Sequence, residues 1–428
     1  MLIHLREQHL SGHIGGQVSV CSAHPQVLRT AATMACRQGA LLLVETTPNQ
    51  VNLSGGYTGM TPAAFAAYFT RLAASCGVPR HRFVLGADHL GPYLWRRLPA
   101  KEAMIQAEAL TRALVAAGYQ KLHLDTGWGC ADDPASRLPA ELAARRAASL
   151  RLVADAAARQ AAVETPIYVI GTEVPAPGGA LEADGAIAIT DPLNLRDELS
   201  RYENAFHRAG IAPAWQGVLA IVVQPGVDFG DTQAAVYQPE SAAALSAFHD
   251  QLPGNMTFEI HACDYQALPA LQQMVRDHFI LLKIGPCLTF ALRETLFDLA
   301  RIEAELQDLE RPSNLIAVME QLMLDQPEYW HAHYRGTAEE LHQLRRSSLR
   351  DRIRYYWSDP RARRACELLV HNLRRPIARP LLRRFLPDLE EAVADGTLIP
   401  TARTVLQTRL EKALTPYFEA CYGPSGKH

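Results

Sequence analysis

Phe83-Val84-Leu85-Gly86-Ala87-Asp88-His89-Leu90-Gly91-Pro92-Tyr93 is the stretch on which the fold of this chain turns. An apolar run stops at an acid and an imidazole and is then broken by Gly-Pro. A buried parallel strand that delivers chemistry at its carboxyl end reads in this way.

Seven comparable runs flank it. Gln17 to Ala23 ends at His24-Pro25, Ala40 to Val44 runs into Glu45, Lys121 to Leu124 into Asp125, and Pro166 to Thr172 into Glu173. Val218 to Val223 is followed by Gln224, Thr257 to Ile260 by His261, and Phe279 to Leu282 by Lys283. Helical patterns separate them: Val27 to Arg37 before Gly39, a Thr61-Pro62 start, Ala100 to Gly118 and Glu141 to Ala162. Eight strands alternating with helices over roughly 290 residues predict an α/β fold of the (β/α)₈ TIM-barrel type. An open, doubly wound sheet is the alternative, but the chain has neither G-x-G-x-x-G nor a P-loop.

Beyond Pro286 the pattern is helical. Leu292, Leu296, Leu299, Ile302, Leu306 and Leu309 form one apolar stripe, and the segments Asp351 to Trp357 and Leu381 to Val393 continue without strands. The expected organisation is a barrel over residues 1–290 and a helical extension packed on it over 291–428. That extension is expected to complete the fold and to bury a subunit interface.

Composition narrows the function classes. Of 428 residues, 48% are hydrophobic and 20% charged, and the formal net charge of -3 offers no basic field for nucleic acid. The eight cysteines include no Cys-x-x-Cys pair, which suits a reducing, cytoplasmic setting. Met1 to Arg6 lacks the apolar core of a signal peptide, and no uncharged apolar run approaches about eighteen residues, so no membrane association is expected.

Barrel strand ends converge on one ligand, which singles out Asp88, His89, Asp125, Glu173 and His261. Adjacent Asp88 and His89 suit metal-assisted proton chemistry: the imidazole binds a divalent ion while the carboxylate, pointing elsewhere, moves a proton. His123 shares a strand face with Asp125 and reads equally as core histidine or ligand; His24 and Glu45 read as supports. Asn49, Gln50 and Asn52 offer amides for sugar hydroxyls, although such clusters also simply make turns. Lys283 meets an anion or a hydroxyl, or else caps a strand end. The Pro/Gly-rich loop Val174 to Gly185 is a lid candidate.

The stretches Val20 to Pro25, Glu45 to Asn52, Gly55 to Pro62, Gly86 to Pro92, Gly171 to Pro175, Val223 to Val227 and Arg352 to Trp357 resemble the family of the second subunit of class II D-tagatose-1,6-bisphosphate aldolase nearly end to end. The resemblance implies a TIM-barrel relative of the class II aldolases. Members have been labelled non-catalytic aldolase subunits, tagatose-6-phosphate kinases, or metal-dependent C4-epimerases of ketohexoses and their uronates. A kinase role has no phosphate-cradling loop to rest on. By similarity to the catalytic aldolases, Asp88 is the strand-three acid, His89 and His261 are metal ligands and Asp125 is the strand-four acid. Where those enzymes carry a further zinc-binding histidine, this chain has Gln224, a poor zinc ligand. That departure either disables the site or moves the third ligand to Glu173 or to the Asp125/His123 pair. The expectation is a Zn²⁺- or Mn²⁺-dependent ketohexose C4-epimerase interconverting D-tagatose and D-fructose, with Asp88 or Asp125 as the acid–base group. The alternative is a stabilising subunit for a catalytic class II aldolase. A second copy of the chain is a further expected partner.

Overall fold

Strands β1 (Gln17–Val20), β2 (Leu42–Thr46), β3 (Phe83–Leu90), β4 (Lys121–Leu124), β5 (Ile167–Ile170), β6 (Val218–Val223), β7 (Thr257–Ile260) and β8 (Leu281–Ile284) pair in parallel, each with the next in the chain. β8 returns to β1, with Gln17 opposite Leu281 and Val20 opposite Ile284, and so closes a TIM barrel. The structure is a computed structural model describing residues 2–171, 187–306 and 309–424. The strands are buried on both faces because helices cover the outside while side chains fill the inside, which explains their unbroken apolar runs.

Local signals set the helix ends. Pro25, Pro62 and Pro192 each occupy a first helical turn, where a missing N–H costs nothing, and His24, Thr61 and Asp191 before them accept hydrogen bonds from the free backbone amides. Gly39, at φ 60°, ends the helix Pro25–Gln38 in a left-handed turn. All eight cysteines are free thiols. No helix among the described residues is long and apolar enough to cross a membrane.

After β8 the helix Pro286–Ala304 buries Leu292, Leu296, Leu299 and Ile302. The apolar stripe expected to reach Leu309 stops earlier: the helix ends at Ala304, and Leu306 is 37% exposed. The boundary read at residue 290 falls inside this helix. Further helices follow, and the last, Ala402–Tyr422, returns to the barrel. It packs on the helices Pro25–Gln38, Leu268–Arg276 and Pro286–Ala304 and on β1. Its far end is stitched to the first strand. The Tyr422 hydroxyl accepts from Gln17 Nε2 at 2.8 Å and from the Val18 N–H at 3.2 Å, and Gly15 and Gly16 N–H groups donate to the Cys421 carbonyl at 3.0 and 3.1 Å. Tyr422→Phe should therefore lower unfolding free energy by about 1–3 kcal/mol, the cost of leaving the Val18 N–H unmet. An unchanged denaturation midpoint would mean the helix end docks without supporting β1.

Candidate metal centre and active site

A β-bulge shapes the decisive stretch. Ala87 pairs with Leu122 but Leu90 with Leu124, so β3 carries one residue more than β4, and His89 sits at φ 50°. In a regular strand Asp88 and His89 would face opposite sides of the sheet. The bulge turns both inward, so the expectation that the acid points elsewhere is corrected: Asp88 Oδ2 lies 3.6 Å from His89 Nε2. Gly91 follows because β4 leaves no room, a Cβ there falling 1.7 Å from the Asp125 carbonyl oxygen. The left-handed backbone of a non-glycine residue is uncommon and, at a binding site, is held by its surroundings. Here the His89 N–H donates to Asp88 Oδ1 at 2.8 Å.

Below this point the barrel interior holds a layer of paired charges. Glu45 on β2 and Lys121 on β4 lie on either side of Gly86 on β3. A Cβ on Gly86 would come within 2.7 Å of Glu45 Cγ, so the missing side chain lets Glu45 cross to Lys121 Nζ at 2.7 Å. Lys121 also reaches Glu259 Oε2 at 2.6 Å, and Lys283 Nζ contacts Asp88 Oδ1, Glu259 Oε1 (3.2 Å) and Glu45 Oε2 (3.6 Å). All these groups are at most 5% exposed on their side chains. Against the penalty of burial, Lys121 and Lys283 hold the Glu259 carboxyl well below its usual range.

Above the layer stand three imidazoles whose ring centroids are 5.0–5.5 Å apart. One ligand atom from each of Asp88, His89, His123 and His261 lies within 4.8 Å of the others. Each ring is oriented by a carboxylate: Asp125 Oδ2 on His89 Nδ1 (2.8 Å), Asp88 Oδ1 on His123 Nδ1 (2.8 Å) and Glu259 Oε1 on His261 Nε2 (3.0 Å). An ionised carboxylate only accepts, so His89 Nδ1 and His261 Nε2 carry protons toward theirs, the usual second layer of a metal site, while His123 Nδ1 lies between Asp88 and the His89 N–H at 3.3 Å. His123 Nε2 is buried with no hydrogen-bond partner.

Charge supports the same reading. The charged layer and the histidines' carboxylate partners bring together Glu45, Asp88, Asp125 and Glu259 against Lys121 and Lys283. A divalent cation at the histidines would offset that excess of carboxylates over ammonium groups. Burial and the Lys283 ammonium push His261 down to about 3, so its ring is neutral at ordinary pH. His89 moves the other way: despite burial, Asp88 and Asp125 raise it. The residues thus fit a metal ion, with three histidine nitrogens available and Asp88 beside them.

The other sequence candidates separate. Gln50 lines the cavity above the histidines together with Asp88, His89, His261 and Lys283. Asn52 spends its amide inside its own loop, donating to the Pro48 carbonyl and accepting from the Ser54 and Gly56 N–H groups. The Asn49 carbonyl takes the Tyr57 N–H in the same turn. Gln224 Oε1 accepts from Gly226 and Val227 N–H at 2.8 and 2.9 Å and so shapes the loop after β6. Lys283 is bound by three carboxylates rather than open to an anion. Glu173 and the loop Val174 to Gly185 lie outside the described residues. Sequence reasoning passed over Lys121 and Glu259, although each stands two residues before a singled-out histidine and therefore on the same strand face. It also left Tyr57, Arg354 and Tyr355 in the loop and the extension, and these line the same cavity.

The fold and site define a (β/α)₈ barrel protein with a candidate metal centre of carboxylate-oriented histidines at its strand ends. The chain belongs to the GatZ/KbaZ-like family of D-tagatose-1,6-bisphosphate aldolase subunits, whose family model matches residues 2–422. It is similar to a probable tagatose 6 phosphate kinase from Sinorhizobium meliloti 1021, at 42% identity and TM-score 0.86, over 95% of this chain and 100% of that one. The YdjI aldolase from Escherichia coli K12 matches at 12% identity and TM-score 0.43, over 86% of this chain and 95% of that one. A fructose-bisphosphate aldolase from Campylobacter jejuni matches at 14% identity and TM-score 0.45, over 94% and 95%.

Proposed function

We propose that the protein is a metal-dependent ketohexose C4-epimerase working by reversible C3–C4 cleavage. The observation that carries this reading is the trio of His89, His123 and His261, each with one nitrogen on a carboxylate and each offering, with Asp88, a ligand atom within 4.8 Å of the others. A divalent ion, Zn²⁺ or Mn²⁺, held there would serve as the Lewis acid that makes cleavage of a ketose accessible. The chain's own groups do the rest. Asp88, which lines the cavity, takes the proton from the C4 hydroxyl as the C3–C4 bond breaks and returns it once the aldehyde has turned and rejoined on its other face. Its carboxyl, held well below the usual range by His89 and Lys283 against burial, is ionised. Asp125, behind the His89 ring and 1% exposed, is placed to orient that ring rather than to meet substrate. Tyr57, Phe229 and Tyr355 wall the cavity and limit escape of the aldehyde.

Asp88→Asn should lose turnover by roughly 10²–10⁴-fold, the range for a general acid–base group, when assayed at saturating metal, and should bind the metal more weakly because Asp88 also orients His123. Full activity in that variant would remove Asp88 from the mechanism. The parent experiment is incubation of the isolated protein with D-fructose, D-tagatose and their phosphates and uronates, with and without Zn²⁺ or Mn²⁺, followed by sugar chromatography. Interconversion that a chelator abolishes is the expected result.

The family match bears more directly on a second reading, a subunit that stabilises a catalytic class II aldolase. Co-purification with such an aldolase, with no ketose interconverted by the isolated chain, would decide for it.

A further inference from the structure

Three further imidazoles meet at the other end of the barrel, where the strands begin. The chain enters here as a strap, the 3₁₀ turn Leu2–His4 and the short helix Leu5–Leu10, with Leu2 and Leu5 buried in the core. Polar groups fasten it to the turns before β7 and β8. Arg6 Nη2 donates to the His249 carbonyl at 2.9 Å and Nη1 to the Leu252 carbonyl at 3.2 Å, and Asn255 Nδ2 donates to the Ile3 carbonyl at 2.5 Å. His9 Nδ1 donates to the Gly15 carbonyl at 2.7 Å, and His9 Nε2 lies 3.0 Å from His278 Nδ1. The His278 ring stacks in turn on that of His249, with centroids 4.5 Å apart and planes 12° from parallel.

The hydrogen positions limit how many protons this array can take. A carbonyl only accepts, so His9 Nδ1 carries its hydrogen, and the neutral ring offers a bare Nε2 to which His278 Nδ1 donates. One added proton fits on His278 or, after a change of tautomer, on His9. Two protons set N–H against N–H. His249 is 0% exposed, its Nδ1 has no hydrogen-bond partner and its Nε2 is 3.4 Å from Thr257 Oγ1, so a charge there would be buried without compensation. At the metal centre every ring has a carboxylate. Here, among the described residues, the only carboxylate within 4.0 Å of any of the three rings is Asp250, 3.9 Å from His249 Nδ1 and 83% exposed. Asp277 is engaged by Tyr237 and Gln273, Glu7 pairs with the exposed His4, and Arg6 adds a positive charge. Burial, with His278 and Arg6 nearby, brings His249 down to about 3, and burial and His278 lower His9 against the pull of its Gly15 bond.

We propose that residues 2–10 form a pH-sensitive strap: uncharged His9, His249 and His278 latch it across the amino-terminal end of the barrel, and protonation of more than one of the three releases it. Free imidazoles titrate at about 6.5, whereas His9 and His249 are lowered in the latched state. The latch is therefore complete above that value and weakens as pH falls below it. At about pH 5.5 each ring that must stay uncharged costs a factor of about ten, so two cost about a hundred. The device stands at the foot of β7, the strand that carries Glu259 and ends before His261, and it requires nothing of the reaction proposed above.

Hydrogen–deuterium exchange of the full chain at about pH 7.5 and about pH 5.5, each corrected for the intrinsic rate at that pH, tests this. Amides of residues 5–13 should lose protection by about 10- to 100-fold at the lower pH, while those of the helix Pro360–Asn372 change by less than about threefold. His9→Gln removes one titrating ring and should shrink the loss by about tenfold, and its melting temperature at neutral pH reports whether it is folded. A change below about threefold in wild type, or an undiminished one in folded His9→Gln, overturns the inference. If His9→Gln frees the strap at both pH values, the C2–H proton resonances of wild type decide: His9 and His249 becoming charged while residues 5–13 keep their protection also overturns it.

Discussion

His123→Ala should empty the metal centre. Wild-type protein reconstituted with Zn²⁺ or Mn²⁺ is expected to hold one ion per chain by elemental analysis, and the variant to bind it at least about 100-fold more weakly and to lose turnover with it. The estimate follows from the outer layer of a metal site, whose removal alone costs roughly 10–100-fold in affinity, so loss of a ligand costs more. Asp125→Asn provides the internal comparison. It keeps all three rings but weakens the hold on His89 Nδ1, so its affinity should fall between wild type and His123→Ala. The argument stands on the buried, unpartnered His123 Nε2, which has no role in a site built only from His89, His261 and a carboxylate. Undiminished metal content in His123→Ala would show that the third ligand lies elsewhere, with Glu173 the remaining sequence candidate.

Lys121→Met should be the most destabilising single change in the barrel interior, by about 3–5 kcal/mol in chemical denaturation. Lys121 Nζ bridges Glu45 Oε1 and Glu259 Oε2, and all three groups are fully buried. Without it two carboxylates share Lys283, which already serves Asp88. Adding Glu45→Gln to Lys121→Met should recover part of the loss, because one unpaired buried charge disappears with it. A single variant within about 1 kcal/mol of wild type would mean that Lys283 alone neutralises the layer.

The barrel was legible because its strands, buried on both faces, read as apolar runs, with helix starts marked by Thr61-Pro62 and a helix end by Gly39. The bulge at His89 was not. No glycine or proline marks the left-handed residue, and the partner that reveals the extra residue, Leu124, is more than thirty positions away. The third histidine was visible but undecided, since a lone buried imidazole on a strand has many ordinary uses. Its neighbours Asp88 and His261 come from other strands, and only closure of the barrel brings them to it. Inspection of strand ends also passed over Lys121 and Glu259, one layer deeper on the same faces. Arg354 and Tyr355 lie about seventy residues beyond β8 in sequence. Neither strand period nor helix period could place them against the histidines.

The stitching of Tyr422 to Gln17 sets an order of events during synthesis. The two residues are separated by 405 positions, and at about 5–20 residues per second a ribosome needs some 20–80 s to make that span. Throughout that interval β1 exists without the helix that covers its base, and the Gln17 amide and Val18 N–H lack their eventual acceptor. So long-range a contact makes the last step of folding late and slow, and leaves an apolar strand open to wrong partners until it occurs. That exposure ends when the helix Ala402–Tyr422 docks against β1.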